Sequence, residues 1–222
     1  MTRKPDSDAA RQLVAAGAEV VAGDLADAAS IVRAAKDVDT MFLMGNSYEA
    51  GLEEETRQGI LAADAAKAAG IGHLIYSSVA DADKQTGIPH FESKYLVEQH
   101  VRQLGIPHTI SAPVAFMENA VAPWSTGALS QGTLAFAMPP KRVLQLVALA
   151  DIGAFVAALA ERRGQVVGQR SYFAGGEMFG GGEGKKLNKT TGRAVRHWES
   201  PLASAPHPER DAAHGFLRVG RR

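Results

Sequence analysis

Short apolar runs alternate with longer, more polar stretches along the first half of the chain. The apolar runs are predicted strands, at residues 19–22, 40–44, 73–78 and 108–111. The intervening stretches have helical spacing or composition and are predicted helices, near residues 7–16, 27–36, 51–69 and 91–104. The run Thr40–Met44 has no polar alternation, which is typical of a strand covered on both faces.

Glycines mark the ends of the predicted helices. Gly17, Gly70 and Gly105 each stand where a helix that ends in a left-handed residue places its glycine. Strands that alternate with helices of this length form βαβ units with right-handed crossovers. The predicted fold class is therefore α/β, a mostly parallel sheet with helices on both faces.

The alternation loosens after Pro113. The chain continues as a loop or short helices through Asn119 and Trp124. Later predicted elements are a strand at 143–147, a helix at about 151–162, and short strands at 171–173 and 195–198. The last two strands flank a glycine-rich run at 180–184, and the polar final 20 residues are expected to be poorly ordered.

Composition excludes several classes of protein. The 222 residues have a formal net charge of zero, so no global positive field exists to attract nucleic acid. The absence of cysteine excludes disulfides and thiolate metal sites, and the seven histidines have no paired ligand spacing, so no metal is predicted. With no long apolar run and no signal peptide pattern at the N-terminus, a cytoplasmic protein without membrane association is expected.

Candidate binding residues follow the predicted strands, since ligands bind beyond the carboxyl ends of strands in open α/β sheets. Four segments occupy such positions: 23–25, 44–46, 77–78 and 113–116. Each also has a structural interpretation, as a helix cap, a turn or a strand end.

His90 and Lys94 are four residues apart on a predicted helix. That spacing would present an imidazole and an ammonium to one ligand. The structural alternative is an exposed helix face on which Lys94 pairs with Glu98.

Seven segments, in order, resemble the NmrA-like family, a branch of the atypical short-chain dehydrogenases. They are Thr2–Pro5, Gly17–Leu25, Phe42–Met44, His73–Ser78, His90–Lys94, Phe116–Asn119 and Asp151–Phe155, and the resemblance covers roughly residues 1–200. It implies a Rossmann-like fold that binds NAD(P).

The resemblance also assigns roles to individual positions. NADP is implied over NAD, because Arg3 resembles the arginine that holds the 2′-phosphate, with Lys4 adding charge beside it. The remaining cofactor positions are Asp24 and Leu25 at the adenine, Met44, Gly45 and Asn46 at the adenosine ribose and phosphates, Ser77 at the strand end, Lys94 at the nicotinamide ribose, and Pro113 and Phe116 beside the nicotinamide. The implied substrate cleft is bordered by Phe116, Met117, Asn119 and Trp124.

The first departure from the family pattern lies at the proton donor. The short-chain pattern has tyrosine four residues before the lysine, whereas His90 occupies that place here. Histidine can donate a proton near neutral pH, so His90 and Lys94 are the catalytic candidates. Loss of the tyrosine is also typical of a non-catalytic cofactor sensor. Tyr95 is not a simple substitute, because it lies about 100° around the helix.

The second departure is at the N-terminus. The family begins with a strand, a Gly-rich turn and a helix that holds the pyrophosphate, whereas this sequence begins just after the second strand and contains no substitute turn. The sheet would then lack its central strand, and the remaining strands would have to close the gap or leave unpaired edges. An exposed apolar edge favours self-association. Three explanations are a start assigned too late in the reading frame, a truncated paralogue, and a chain supplied without its first segment.

Two domains are expected. Residues 1–113 and 143–165 would form the cofactor-binding domain, and residues 114–142 and 166–222 a smaller substrate region. The first hypothesis for function is an NADPH-dependent reductase of quinone, azo or carbonyl compounds. The second is an NADP(H)-sensing regulator that acts through protein contacts, and the third a truncated chain with impaired binding. The expected oligomeric state is monomer or homodimer.

Overall fold

The computed structural model describes residues 1–136, 142–179 and 196–199 of the chain. The helices are α1 (Asp8–Ala15), α2 (Ala28–Ala34), α3 (Ser47–Ala50), α4 (Leu52–Ala68), α5 (Pro89–Leu104), α6 (Pro123–Ser130), α7 (Leu149–Glu161) and α8 (Arg163–Val166), with 3₁₀ turns at Ala82–Lys84 and Met117–Val121. The strands are β1 (Thr40–Met44), β2 (His73–Ser77), β3 (His108–Pro113), β4 (Ala115–Phe116), β5 (Thr133–Phe136), β6 (Val143–Val147), β7 (Arg170–Phe173), β8 (Gly176–Phe179) and β9 (Arg196–Glu199). The glycine-rich run 180–184 and the final 20 residues lie outside the described residues.

The main sheet has four strands in the order β1-β2-β3-β7. β1 runs parallel to β2, with Thr40 opposite His73 and Met44 opposite Ser77. Smaller sheets consist of β4-β6-β8, in which β4 is parallel and β8 antiparallel to β6, and of the parallel pair β5-β9. The predicted α/β class with a mostly parallel sheet is confirmed.

Helix boundaries follow the capping signals in the sequence. Ser7 accepts a hydrogen bond from the Ala10 amide at the start of α1, and Asp27 accepts one from the Ala29 amide at the start of α2. Gly70 and Gly105 follow α4 and α5 with φ of 75° and 72°, a conformation that favours glycine. These four positions confirm the ends predicted for the helices.

The prediction of a strand at 19–22 is wrong. Among the described residues, Ala22 forms only an isolated parallel bridge with Thr2, held by the Thr2 amide to the Val21 carbonyl at 2.9 Å and the Gly23 amide to the Thr2 carbonyl at 3.0 Å. A strand needs a neighbour along its length. Residues 1–3 pair with this segment at a single position, Thr2 with Ala22, so the segment does not form a strand.

The expectation that β1 is covered on both faces is also wrong. Leu43 is buried at 2% exposure, but Phe42 and Met44 are 43% and 59% exposed. β1 is an end strand of its sheet, and no described strand pairs with its outer edge. β2, which has a strand on each side, is buried at all five residues. An apolar run therefore does not distinguish an end strand from a central one here.

The chain divides into two compact units. The first comprises Met1–Ser77, Ser93–Ile110 and Leu159–Arg170, and the second comprises Ser78–Glu92, Ser111–Ala158 and Ser171–Arg222. This division splits the segment 143–165, which the sequence analysis assigned to one domain. The domain boundaries expected from the sequence stay a prediction.

The core of the first unit forms where α4 and α5 pack with buried strands. Ala62, Ala63 and Ala66 on α4 and Val97 and Val101 on α5 are all fully buried and belong to one apolar cluster. Small residues on α4 therefore allow its neighbours in the first unit to approach closely.

In the second unit the rings of Phe155 and Phe173 stack, with their centroids 4.1 Å apart.

His73 is a fully buried polar side chain in β2. Its Nε2 lies 2.9 Å from Thr109 Oγ1, and that hydroxyl donates to the Val166 carbonyl at 2.9 Å. Because the hydroxyl proton is already committed, the network assigns the imidazole proton to Nε2. Nδ1 is buried and has no hydrogen-bond partner among the described residues. Burial, followed by Arg163 and His108, lowers the pKa of His73, while Asp39 opposes the shift.

Stability is expected to fall in acid because of His73. The folded state holds His73 neutral, so below the unfolded pKa of about 6.5 the unfolded chain binds the extra proton. The free energy of unfolding should be constant from this source above that pH and decline below it, by at most about 1.4 kcal/mol for each pH unit. Urea unfolding between pH 8 and pH 5 (roughly the usual range of maximal stability) should show a shallower decline for His73→Gln. Parallel pH profiles for the two proteins would contradict this assignment.

Candidate functional site

The carboxyl ends of β1 and β2 meet at one edge of the first unit. Met44 and Ser77 are register partners, and Gly45 and Asn46 follow β1 directly. The Asn46 side chain accepts a hydrogen bond from the Tyr48 amide at 3.1 Å and caps α3. Two of the segments chosen from the sequence, 44–46 and 77–78, therefore share the edge at which α/β sheets bind ligands.

A buried carboxylate holds Lys94 in the same unit. Glu55, on α4, is 2% exposed. The Lys94 ammonium donates to its Oε1 at 2.8 Å, and the Ser93 hydroxyl donates to its Oε2 at 3.0 Å. The Lys94 side chain is 15% exposed. The structural alternative, an exposed pair of Lys94 with Glu98, is therefore wrong, because Lys94 faces inward to α4.

Gly45 lies against this carboxylate. A Cβ atom added at residue 45 would come within 2.9 Å of Glu55 Cγ and 3.2 Å of its Oε1. Distances under 3.0 Å require the neighbour to move, so glycine permits the close approach of this turn to α4. Gly45 and Lys94, predicted separately as cofactor positions, are thus joined through Glu55.

The N-terminal candidates also lie in the first unit. Arg3 forms an exposed ion pair with Glu49, and Lys4 is exposed. The Asp24 carboxylate accepts a hydrogen bond from the Ala26 amide in a turn, and the cap of α2 is Asp27, so the structural interpretation that fits Asp24 is a turn and not a helix cap. Leu25 packs against the core.

The other candidates belong to the second unit, whereas Lys94 and Glu55 belong to the first. Pro113 ends β3 and is buried. Phe116 and Met117 are 37% and 39% exposed, and Asn119 is exposed in the 3₁₀ turn. The side chain of Trp124 lies outside the described part of the structure. His90, in the first turn of α5, packs its ring edge-to-face on Phe91, with centroids 4.8 Å apart.

A second buried carboxylate, Glu98, lies on α5 in the first unit. It is fully buried and accepts from Arg170 Nε at 3.1 Å and from Arg102 Nη2 at 3.0 Å. Burial, with the negative charges of Glu55 and Glu98, raises the pKa of Tyr76 well above its ordinary value. Tyr76 therefore stays a neutral hydroxyl at physiological pH and is a core residue of β2.

Glu55 was missed by the sequence analysis, although its spacing carried a signal. It falls in the run Glu53–Glu55, where acidic residues are typical of the first turn of a helix. Glu55, Gly59, Ala62 and Ala66 nevertheless share one helical face, and all four are buried. A carboxylate on an apolar stripe indicates a buried ion pair.

Two further kinds of site receive no support from the described residues. No group of three or more histidine, aspartate or glutamate side chains among them is arranged to hold a metal ion. No helix in the described ranges has the length and apolar character needed to cross a membrane.

Comparison with known proteins assigns the family. A model of the NmrA-like family matches residues 1–207. The chain belongs to the NmrA-like family. The match covers nearly the whole chain and both of its units.

One curated NmrA-like relative is the NmrA-like family domain-containing oxidoreductase FrzB of Cladobotryum sp.. It is 35% identical over 133 residues, which are 55% of this chain and 40% of that protein. The aligned part thus spans less than half the length of this relative.

Two solved structures that contain nicotinamide cofactors are similar in fold to this chain. The NADPH-dependent quinone oxidoreductase from Escherichia coli, complexed with NADPH, is 24% identical, with a TM-score of 0.81 over 96% of this chain and 78% of that one. NmrA, a negative transcriptional regulator in complex with NADP, is 22% identical, with a TM-score of 0.80 over 98% of this chain and 71% of that one. At these identities the likeness shows the fold.

Proposed function

We propose that this chain binds NADP(H) as an NADPH-dependent reductase of quinone, azo or carbonyl compounds. The observation that carries the proposal is the Lys94 ammonium, held by buried Glu55 in the same unit as the Met44–Asn46 turn and Ser77. Membership of the NmrA-like family and structural likeness to an NADPH-dependent quinone oxidoreductase support it.

The described side chains of the first unit fit parts of the cofactor. The exposed pair of Arg3 with Glu49 can open at small cost, so Arg3 can exchange this carboxylate for the 2′-phosphate. Gly45 removes the side chain that would fill the space beside Glu55, and Lys94 offers N–H groups to ribose hydroxyls. NADPH, when bound, supplies the hydride.

The residues proposed as proton donor and substrate contacts belong to the second unit. His90 is the candidate proton donor, because imidazole exchanges protons near neutral pH. Pro113 and Phe116 would lie beside the nicotinamide, and Met117 and Asn119 would border the substrate. These roles stay predictions.

An NADP(H)-sensing regulator is the second candidate. The observation that favours it is His90 in the place of the tyrosine of the short-chain pattern. The structural likeness to NmrA, a negative transcriptional regulator bound to NADP, is consistent with it. In this case NADP(H) binding would alter contact with a regulatory protein and no substrate would be reduced.

Calorimetry with NADPH and NADH tests cofactor binding. We expect NADPH to bind at least about tenfold more tightly than NADH, because the 2′-phosphate gains a charge-assisted contact with Arg3. Arg3→Gln should abolish that preference and leave NADH affinity unchanged. Arg11→Gln, which removes another exposed arginine from the same N-terminal region, is the matched control and should keep the preference.

If neither NADPH nor NADH binds, the proposal is overturned for this chain. If NADPH binds, its oxidation in the presence of a quinone or azo dye separates the two candidates. Turnover supports the reductase. Binding without turnover over a panel of quinone, azo and carbonyl acceptors supports the sensor.

A further inference from the structure

Glu55 differs from the neighbouring acidic residues of α4, Glu53 and Glu54, because its side chain is buried. It is 2% exposed, and both of its oxygens accept hydrogen bonds, from Lys94 and from Ser93. Burial of a carboxylate is unfavourable unless a cation and hydrogen bonds compensate for lost hydration. The fold therefore commits two consecutive residues of α5 to one side chain of α4.

The two contacts fix both the carboxylate and the ammonium. Ser93 and Lys94 approach different oxygens, so the carboxylate cannot rotate without breaking one of the bonds. On another side the backbone of Gly45 lies so near that any side chain there would collide with Glu55. Glu55 therefore contacts both Lys94 Nζ and the turn that follows β1.

The arrangement also determines what Lys94 can bind. A lysine ammonium has three N–H donors, and the described residues provide one acceptor, Glu55 Oε1, at 2.8 Å. The carboxylate compensates the charge of the ammonium, and a phosphate placed on the remaining donors would stand close to a second negative charge. Neutral hydroxyl oxygens avoid this repulsion.

We propose that Glu55 is a positioning residue that fixes Lys94 and directs its free donors to the hydroxyls of a ribose and not to a phosphate. The inference rests on the proposed binding of NADP(H). It assigns to Glu55 an effect on the nicotinamide-ribose half of the ligand alone. The adenosine half and its 2′-phosphate should bind independently of Glu55.

Glu55→Gln tests this, with Glu54→Gln as control. Glutamine keeps the size of the side chain and can still accept from Ser93, but it removes the negative charge. Glu54 is the preceding residue of α4 and pairs with Arg57 at 2.6 Å, so its variant removes one carboxylate from the same turn. Both are titrated with NADPH and with 2′,5′-ADP, which lacks the nicotinamide ribose.

We expect Glu55→Gln to weaken NADPH by about tenfold and 2′,5′-ADP by less than about twofold, and Glu54→Gln to change neither. In the background of Lys94→Met, adding Glu55→Gln should cause no further loss, because the effect passes through Lys94. A structural role would instead lower the affinities for both ligands together.

The other outcomes are separable. If the unaltered chain binds NADPH and Glu55→Gln binds it equally well, the positioning role is overturned and the proposed function stands. Equal weakening of NADPH and 2′,5′-ADP, or an added loss in the Lys94→Met background, also overturns the positioning role. If the unaltered chain does not bind NADPH, both proposals fall.

Discussion

Replacing Arg170 with methionine is expected to lower the free energy of unfolding by about 3 kcal/mol or more, because it removes a close cation from a buried carboxylate. Glu98 is fully buried, and the Arg170 side chain, 10% exposed, contacts both of its oxygens at 3.1 Å. Arg102 alone, with a side chain 39% exposed, compensates the charge less well. Urea or thermal unfolding at pH 7 (about neutral, where carboxylates are ionised) measures the loss.

Two further variants separate the buried charge from lost packing. Arg102→Met should cost less than about 1 kcal/mol, because that arginine is partly exposed and its pair is screened by water. The double variant Glu98→Met with Arg170→Met should be more stable than Arg170→Met alone, since no buried charge is left uncompensated. A double variant that is no more stable than Arg170→Met would show that Arg170 acts through packing.

Alanine at Gly59 is expected to destabilise the first unit by about 2 kcal/mol through overpacking. Gly59 lies inside α4, and an added Cβ would come within 2.7 Å and 3.0 Å of the two Cγ atoms of Val97. Val97 is fully buried in the apolar cluster, so it has little space to retreat. Alanine gains about 1 kcal/mol over glycine in a helix, but the collision outweighs that gain.

Gly153→Ala is the matched control for this variant. Gly153 lies inside α7, and no atom would approach an added Cβ within 4 Å. Its alanine variant should therefore be stabilised by up to about 1 kcal/mol. Combining Gly59→Ala with Val97→Ala should cost less than the sum of the single changes, because the smaller residue makes room. Additive losses would contradict the collision.

Local signals predicted the main elements, because they depend on neighbouring residues. The boundaries of α4 and α5 follow from Gly70 and Gly105, and the limits of β1 and β6 coincide with their apolar runs. The segment 19–22 also has strand composition, but strand formation depends on a distant partner, which only Thr2 provides. The exposure of Phe42 likewise depends on the place of β1 in the sheet, which its own residues do not encode.

The sequence predicted candidate residues that directly follow strands, but it did not predict Glu55, the residue that pairs with Lys94. Met44, Gly45 and Ser77 were chosen from strand ends, and the structure places them at one edge of the sheet. The partner of Lys94 lies 39 residues away in the sequence, so local spacing suggested Glu98 instead. Pairings of this sequence separation are set by the packing of α4 on α5 and not by either helix alone.

The buried charges also limit how far α5 can be treated as an independent module. Lys94 finds its partner on α4, and Glu98 finds its more buried cation, Arg170, on β7, 72 residues further along the chain. Grafting α5 into another scaffold would carry an ammonium and a carboxylate into an interior that lacks both partners. Recombination between related chains should therefore exchange Glu55 and Arg170 together with α5, and chimeras that divide them should fail to accumulate as folded protein.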